Sequence, residues 1–410
     1  MVKLPRMVSD ILGQQGTLEK LMRATARNGS AGVGNGSSPS DLVETRSFGS
    51  NPGSLRMFSH VPSQASRGCA LVVVLHGCVQ TAASYDLGAG WSTLADRFGF
   101  ALLLPEQQRA NNANGCFNWF EPGDTRRGSG EALSIRQMIE KMVSAHGVDA
   151  GRIFITGLSA GGAMTSVMLA TYPEVFAGGA IIAGLPFGAA SNVQQAFQTM
   201  RQCPARPARD WGDLVRAASP HTGPWPRVSV WHGGADSTVV PSNAREIIKQ
   251  WTDVHGLPVR PSLEAVVDGY PRQVWANEAG GEMIESYTIP QMMHGTPLAT
   301  GNGHDECGAA GPFLLEVGIS SSYHIAKFFG LTSHVTAVAG DAIVTSDPHV
   351  APHARRARGV GIAPRVLEGE ILGREDQSAG PDDGPTSRAL PIDVGAVINK
   401  ALRAAGLLKG

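Results

Sequence analysis

The chain has no dominant charge. Its 410 residues carry 34 basic and 35 acidic side chains, a formal net charge of -1, so nothing in that balance points to nucleic acid or an acidic membrane surface as the main partner. Long apolar runs are missing as well. No stretch approaches the roughly 18 to 20 apolar residues of a membrane-spanning helix, which excludes a membrane span. In the opening segment, MVKLPRMVSDILGQQGTLEKLMRATARNG, the residues Ser9, Asp10, Gln14 and Gln15 interrupt the apolar centre that a signal peptide requires. As written, the chain is expected to stay in the cytoplasm. Cysteine is scarce: Cys69, Cys78, Cys116, Cys203 and Cys307 form no C-x-x-C pair and show no zinc-like spacing with histidine, and their odd number leaves at least one thiol free. A metal site is therefore not expected. There is no internal repeat.

What is present is a large core: 42% of the residues are hydrophobic, enough for one large α/β domain or two small ones. Residues 1–42 read as an appended amphipathic helix (Val8, Ile11, Leu12, Leu18, Leu21, Met22) followed by the flexible tract GSAGVGNGSSPS. Residues 43–331 alternate short apolar runs with longer amphipathic ones, the pattern of a mostly parallel central sheet with helices on both faces. Strands are expected at 70–75, 100–105, 152–156, 178–183, 227–232 and 283–289. Helices are expected at 131–145, 160–171, 241–255 and 312–329, with a hairpin over 274–289 around a Gly-Gly pair. Residues 332–390, rich in Ala, Gly, Pro, Arg and Asp, read as a disordered linker. Residues 391–410 are expected to form an amphipathic helix that either docks on the main domain or binds a lipid or polymer-granule surface.

The chemistry centres on GLSAG, residues 157–161, which fits G-x-S-x-G and lies between the strand RIFIT and the helix AGGAMTSVMLATY. A serine on such a strand-to-helix turn stands clear of the sheet, and the flanking glycines avoid collisions with neighbouring backbone. Ser159 is thus the candidate nucleophile. The amide of Ala160, at a helix N-terminus, is a candidate oxyanion donor. A serine hydroxyl needs a base and an acid, in the order Ser, Asp, His. Asp236 follows the strand at 227–232, and His294 follows the strand at 283–289 and precedes Gly-Thr-Pro. Asp253 and Asp268 are less well placed, and His304 is a fallback base with no strand before it. LVVVLHGCVQ ends a strand in His76-Gly77-Cys78, which makes the Cys78 amide the second oxyanion candidate and His76 a structural residue.

LHGCVQTAASYDLGAGWSTLADRFGFALLLPEQ, CFNWFEPGDTRRGSGE, GLSAGGAM with ATYPEVFAGGAIIAGLPFGAA, and HGGADSTVVP occur in that order. Together they resemble the poly(3-hydroxybutyrate) depolymerase family of esterases in the α/β-hydrolase superfamily, over about residues 55–330. The resemblance implies an α/β-hydrolase fold and a serine esterase that works through an acyl-enzyme without a cofactor. It also implies Ser159, Asp236 and His294 as catalytic residues, the Cys78 and Ala160 amides as oxyanion hole, and Asn118 and Trp119 lining the substrate cleft. Core packing is the competing role for Trp119. Secreted relatives carry disulfides, and Cys78 with Cys116 is the pair the resemblance suggests, although a reducing cytosol would oppose the bond. The implied substrate is poly(3-hydroxybutyrate) or its oligomers. The alternatives are a feruloyl or acetyl xylan ester, or a catalytically silent protein bound to polyester granules through its terminal helices.

Overall fold

The computed structural model describes residues 41–332. The helix expected near the N-terminus, the linker beyond residue 332 and the helix over 391–410 lie outside the described residues. In chain order the strands are β1 (Val43–Thr45), β2 (Arg56–His60), β3 (Leu71–Leu75), β4 (Ala101–Glu106), β5 (Ile153–Leu158), β6 (Gly178–Ile182), β7 (Arg227–Gly233), β8 (Leu263–Val267), β9 (Tyr270–Ala276), β10 (Glu282–Ile289), β11 (Thr296–Leu298) and β12 (Leu314–Glu316). The main helices are α1 (Ala82–Ala89), α2 (Trp91–Phe98), α3 (Gly130–His146), α4 (Ala160–Thr171), α5 (Val193–Arg201), α6 (Ala208–Ala217), α7 (Ser242–His255) and α8 (Ser321–Phe328).

The apolar runs become strands buried on both faces. On β3 the residues alternate: Leu71, Val73 and Leu75 enter one core, while Val72 and Val74 enter the other. This two-sided burial is why the run reads as continuously apolar. A ten-stranded sheet has the order β1-β2-β4-β3-β5-β6-β7-β10-β9-β8. Strands β4, β3, β5, β6, β7 and β10 are mutually parallel, and antiparallel strands flank them at both edges. One core layer receives Ala132, Ile135, Met138, Ile139 and Met142 of α3 along with α4 and α7. Fully burying each larger side chain of that set contributes about 1.5–3 kcal/mol. The opposite layer receives α1, α2 and α8. Strand order reverses at β3, and in open α/β sheets the carboxyl ends beside such a reversal form the ligand crevice.

The six expected strands and the hairpin are present, with the hairpin's first strand beginning at Tyr270. The helix expected over 312–329 is corrected. Leu314–Glu316 instead pairs in parallel with Thr296–Leu298, Gly318 turns the chain at a φ of 78°, and the helix starts only where the Ser320 side chain caps Tyr323 N–H. The strand in the run FLLEVGI is defined by its pairing with Thr296–Leu298, a partner that the hydrophobic content of the run alone could not show.

Between β4 and α3, a long loop is tied down from several directions. Cys78 and Cys116 are disulfide-bonded, and Val79 N–H donates to Asn114 O at 2.8 Å. Asn118 accepts from Asn112 Nδ2 at 2.9 Å and donates to Asp124 Oδ2 at 3.2 Å. Beneath them the buried Glu131 accepts from Asn118 N–H at 2.9 Å and from the Gln107 amide. Burial, together with the nearby Asp124 charge, pushes the Glu131 carboxyl up to about 8 against those hydrogen bonds.

A carboxyl raised on folding holds a proton that the unfolded chain has released, so its stabilisation is greatest below the ordinary carboxyl range and is lost as pH rises towards 8. We expect Glu131→Gln to gain thermal stability relative to the wild type as pH is raised from 5 to 9, read as the difference in Tm at each pH. A difference that stays constant across that range would contradict the assignment.

Candidate active site

Four strands deliver the site at their carboxyl ends. From β5 the chain turns directly into α4, and Ser159 takes φ 57° and ψ −116°, a conformation rare for any residue with a side chain and costing on the order of 1–3 kcal/mol. Main-chain bonds maintain it. Ser159 N–H donates to Ile182 O at 2.9 Å, and Ala163 N–H donates to Ser159 O at 2.8 Å. The flanking glycines are required by space. A Cβ on Gly157 would lie 2.4 Å from Gly161 O, and one on Gly161 would lie 2.3 Å from Leu75 O.

The loops after β7 and β10 are laced together by main-chain contacts. Gly234 N–H donates to Ile289 O at 2.8 Å, and Ala235 N–H to Met292 O at 3.0 Å. A Cβ on Gly233 would lie 2.3 Å from Met292 O, so the approach depends on a missing side chain. This lacing brings Asp236 to His294. Asp236 Oδ2 lies 2.7 Å from His294 Nδ1, and His294 Nε2 lies 2.9 Å from Ser159 Oγ. A carboxylate can only accept, so Nδ1 carries the hydrogen and Nε2 presents its lone pair to the serine hydroxyl.

Asp236 is buried, and its second oxygen accepts the Thr238 and Val239 amides, each at 2.9 Å. Burial works against ionisation, yet contact with His232 and His294 outweighs it, and the carboxyl is held far below the usual carboxylate range. An ionised Asp236 can orient the His294 ring and would stabilise a positive charge on it.

Ala160 opens α4, where first-turn amides have no intrahelical acceptor. In the turn after β3, the amides on either side of Cys78 are engaged: Gly77 N–H donates to Gln80 Oε1 at 2.9 Å and Val79 N–H to Asn114 O. His76 is buried as a structural residue. Its Nδ1 donates to Gly77 O at 2.7 Å, and its Nε2 accepts Gln107 N–H at 3.1 Å. Asn118 is engaged in the loop network described above. Trp119 is 8% exposed and packs in the core, edge-on to Phe120.

The less favoured alternatives are occupied elsewhere. Asp253 pairs with Arg216 at 2.6 Å, Asp268 with His324 at 2.7 Å, and His304 Nε2 with the Tyr323 hydroxyl at 2.6 Å. Two neighbours of the site went unnoticed in the sequence. His232 contacts Asp236, and the H-x-x-x-D spacing of HGGAD is a signal that could have found it. Phe313 sets its ring edge-on to His294 at 6.1 Å between centroids, from a backbone φ of 64°; no local pattern marks it. Among the described residues, no group of three or more His, Cys, Asp or Glu side chains could hold a metal ion, and no helix is long and apolar enough to cross a membrane.

Residues 57–260 match the family described as Esterase PHB depolymerase. The chain is 48% identical over 291 residues to poly(3-hydroxyalkanoate) depolymerase C of Paucimonas lemoignei, covering 71% of this chain and 70% of that protein. It is 32% identical to feruloyl esterase B of Neurospora crassa, over 71% of this chain and 92% of the relative. With an acetylxylan esterase of Coprinopsis cinerea the identity is 34%, over 62% and 69% of the two chains. In three dimensions, an acetyl xylan esterase from Aspergillus awamori aligns with a TM-score of 0.60 at 24% identity, over 71% of this chain and 99% of that one, which shows the shared fold. With this sheet, these connections and these relatives, the chain belongs to the PHB depolymerase family of α/β-hydrolase esterases and is a carboxylic ester hydrolase.

Proposed function

We propose that Ser159, His294 and Asp236 are the catalytic triad of a polyester hydrolase acting on poly(3-hydroxybutyrate) or its oligomers. The observation that carries the triad is the continuous chain of contacts from Ser159 Oγ through His294 to Asp236. His294 Nε2 takes the serine proton as Oγ attacks the ester carbonyl, and Asp236 stabilises the imidazolium that forms. The Ala160 and Cys78 amides receive the oxyanion, the first aided by the N-terminus of α4. His294 then protonates the leaving alcohol, and water, activated by the same ring, hydrolyses the acyl-enzyme. No step calls for a cofactor.

The relative at 48% identity supports the polyester substrate. So does an apolar rim: Val79 follows Cys78, Met293 precedes His294, both are exposed, and Phe313 faces the His294 ring. Such a rim suits an aliphatic ester chain better than a sugar. Asn118 takes part as the wall of the cleft, its loop fastened beside Cys78 by the bond to Cys116, whereas Trp119 packs in the core. The feruloyl and acetylxylan relatives favour a second reading, an ester on plant cell-wall polysaccharide.

Rates on 3-hydroxybutyrate oligomers, feruloyl esters and acetylated xylan decide between the two. We expect the oligomers to be turned over fastest and Ser159→Ala to lose about 10⁴-fold or more in kcat. Full activity in Ser159→Ala would refute the triad, and an inactive wild type would return the chain to a silent granule-binding role. Granule contact through residues 391–410 belongs to the same proposal. Their removal is expected to abolish association with polyester granules while sparing hydrolysis of a soluble p-nitrophenyl ester, and persistent association in a pull-down with granules would disprove it.

A further inference from the structure

We infer that His232 is a positioning residue for the reaction: by fastening the turn over residues 236–239, it keeps the Asp236 carboxylate aimed at His294. The inference rests on the triad reading above. His232 is the next-to-last residue of β7 and is buried at 2% exposure. Its Nε2 lies 2.7 Å from Val239 O. A carbonyl only accepts, so Nε2 must carry a hydrogen and donate it.

Val239 in turn donates its N–H to Asp236 Oδ1 at 2.9 Å, beside the Thr238 amide. Histidine, turn and carboxylate therefore close a ring of contacts, with Oδ2 left to face His294. The same Nε2 lies 3.5 Å from Oδ2, too far for a strong hydrogen bond but close enough for the N–H dipole to favour the anion. The turn is anchored beyond the ring by Val240 N–H to Met200 O at 2.8 Å. Among the described residues, His232 Nδ1 has no hydrogen-bond partner. The side chain acts through one nitrogen only.

That asymmetry provides a test. A glutamine amide reaches about as far as Nε2, whereas an asparagine amide reaches only the position of the idle Nδ1. Full-length wild type, His232→Gln, His232→Asn, His232→Phe and Ser159→Ala are compared for kcat and KM on p-nitrophenyl butyrate, with Tm recorded for each. A misaimed carboxylate impairs the chemical step rather than binding. His232→Asn and His232→Phe are therefore expected to lose about 10- to 100-fold in kcat with KM within about twofold, while His232→Gln stays within about threefold of wild type.

Equal kcat in the Gln and Asn variants, whether both high or both low, overturns the inference, and this comparison stands even if the Phe variant fails to fold. Ser159→Ala keeps the two claims apart. Activity surviving there sinks the triad, whereas an inactive Ser159→Ala beside equal Gln and Asn variants sinks only the role of His232.

Discussion

The site depends on main chains that approach one another more closely than side chains allow at the carboxyl edge of the sheet. Gly157 and Gly161 let the turn around Ser159 press against the end of β3, and Gly233 lets the Asp236 loop touch the backbone before His294. Three strands thereby end at fixed separations, and the distances among Ser159, His294 and Asp236 follow from them. The left-handed backbone of Ser159 is a consequence of the same crowding. Its strain persists because hydrogen bonds from Ser159 and Ala163 hold both sides of the turn.

Two buried carboxylates show how partners decide charge inside such a fold. Burial raises the proton affinity of both Asp236 and Glu131. At Asp236, two histidines overcome that effect and the anion persists. At Glu131, the donors are neutral amides and the neighbouring charge is the like-signed Asp124, so burial wins. The first arrangement keeps an anion beside the His294 imidazole; the second braces the loop that the Cys78–Cys116 bond joins to the turn after β3. Chemistry and scaffold thus use the same residue class in opposite protonation states.

Much of this was legible in the chain because α/β folds write their strands as short apolar runs and their catalytic turns as local patterns. Ser159, Asp236 and His294 each follow an apolar run closely, so strand position and order were enough to nominate them. Elements at the margin were harder. The strand Arg56–His60, one place in from the sheet's edge, is only half buried, and Leu314–Glu316 pairs with a three-residue partner in the loop that follows His294. A run such as FLLEVGI suits a helix or a strand equally until its partner is known. Phe313 escaped notice because its relation to His294 is a contact across the site, not a spacing.

By itself, then, the sequence determined the fold class, the six central strands, the strand-to-helix turn at Ser159 and the order of the catalytic candidates, because each follows from local periodicity or from glycine placed where backbone must bend. The tertiary structure alone decided that these residues meet at hydrogen-bond distance, that Cys78 bonds Cys116, and that His232 shares the Asp236 turn. Those are relations between segments far apart in the chain or between side chains aimed by packing. They arise only once the sheet has assembled and the carboxyl ends of its strands have been brought together.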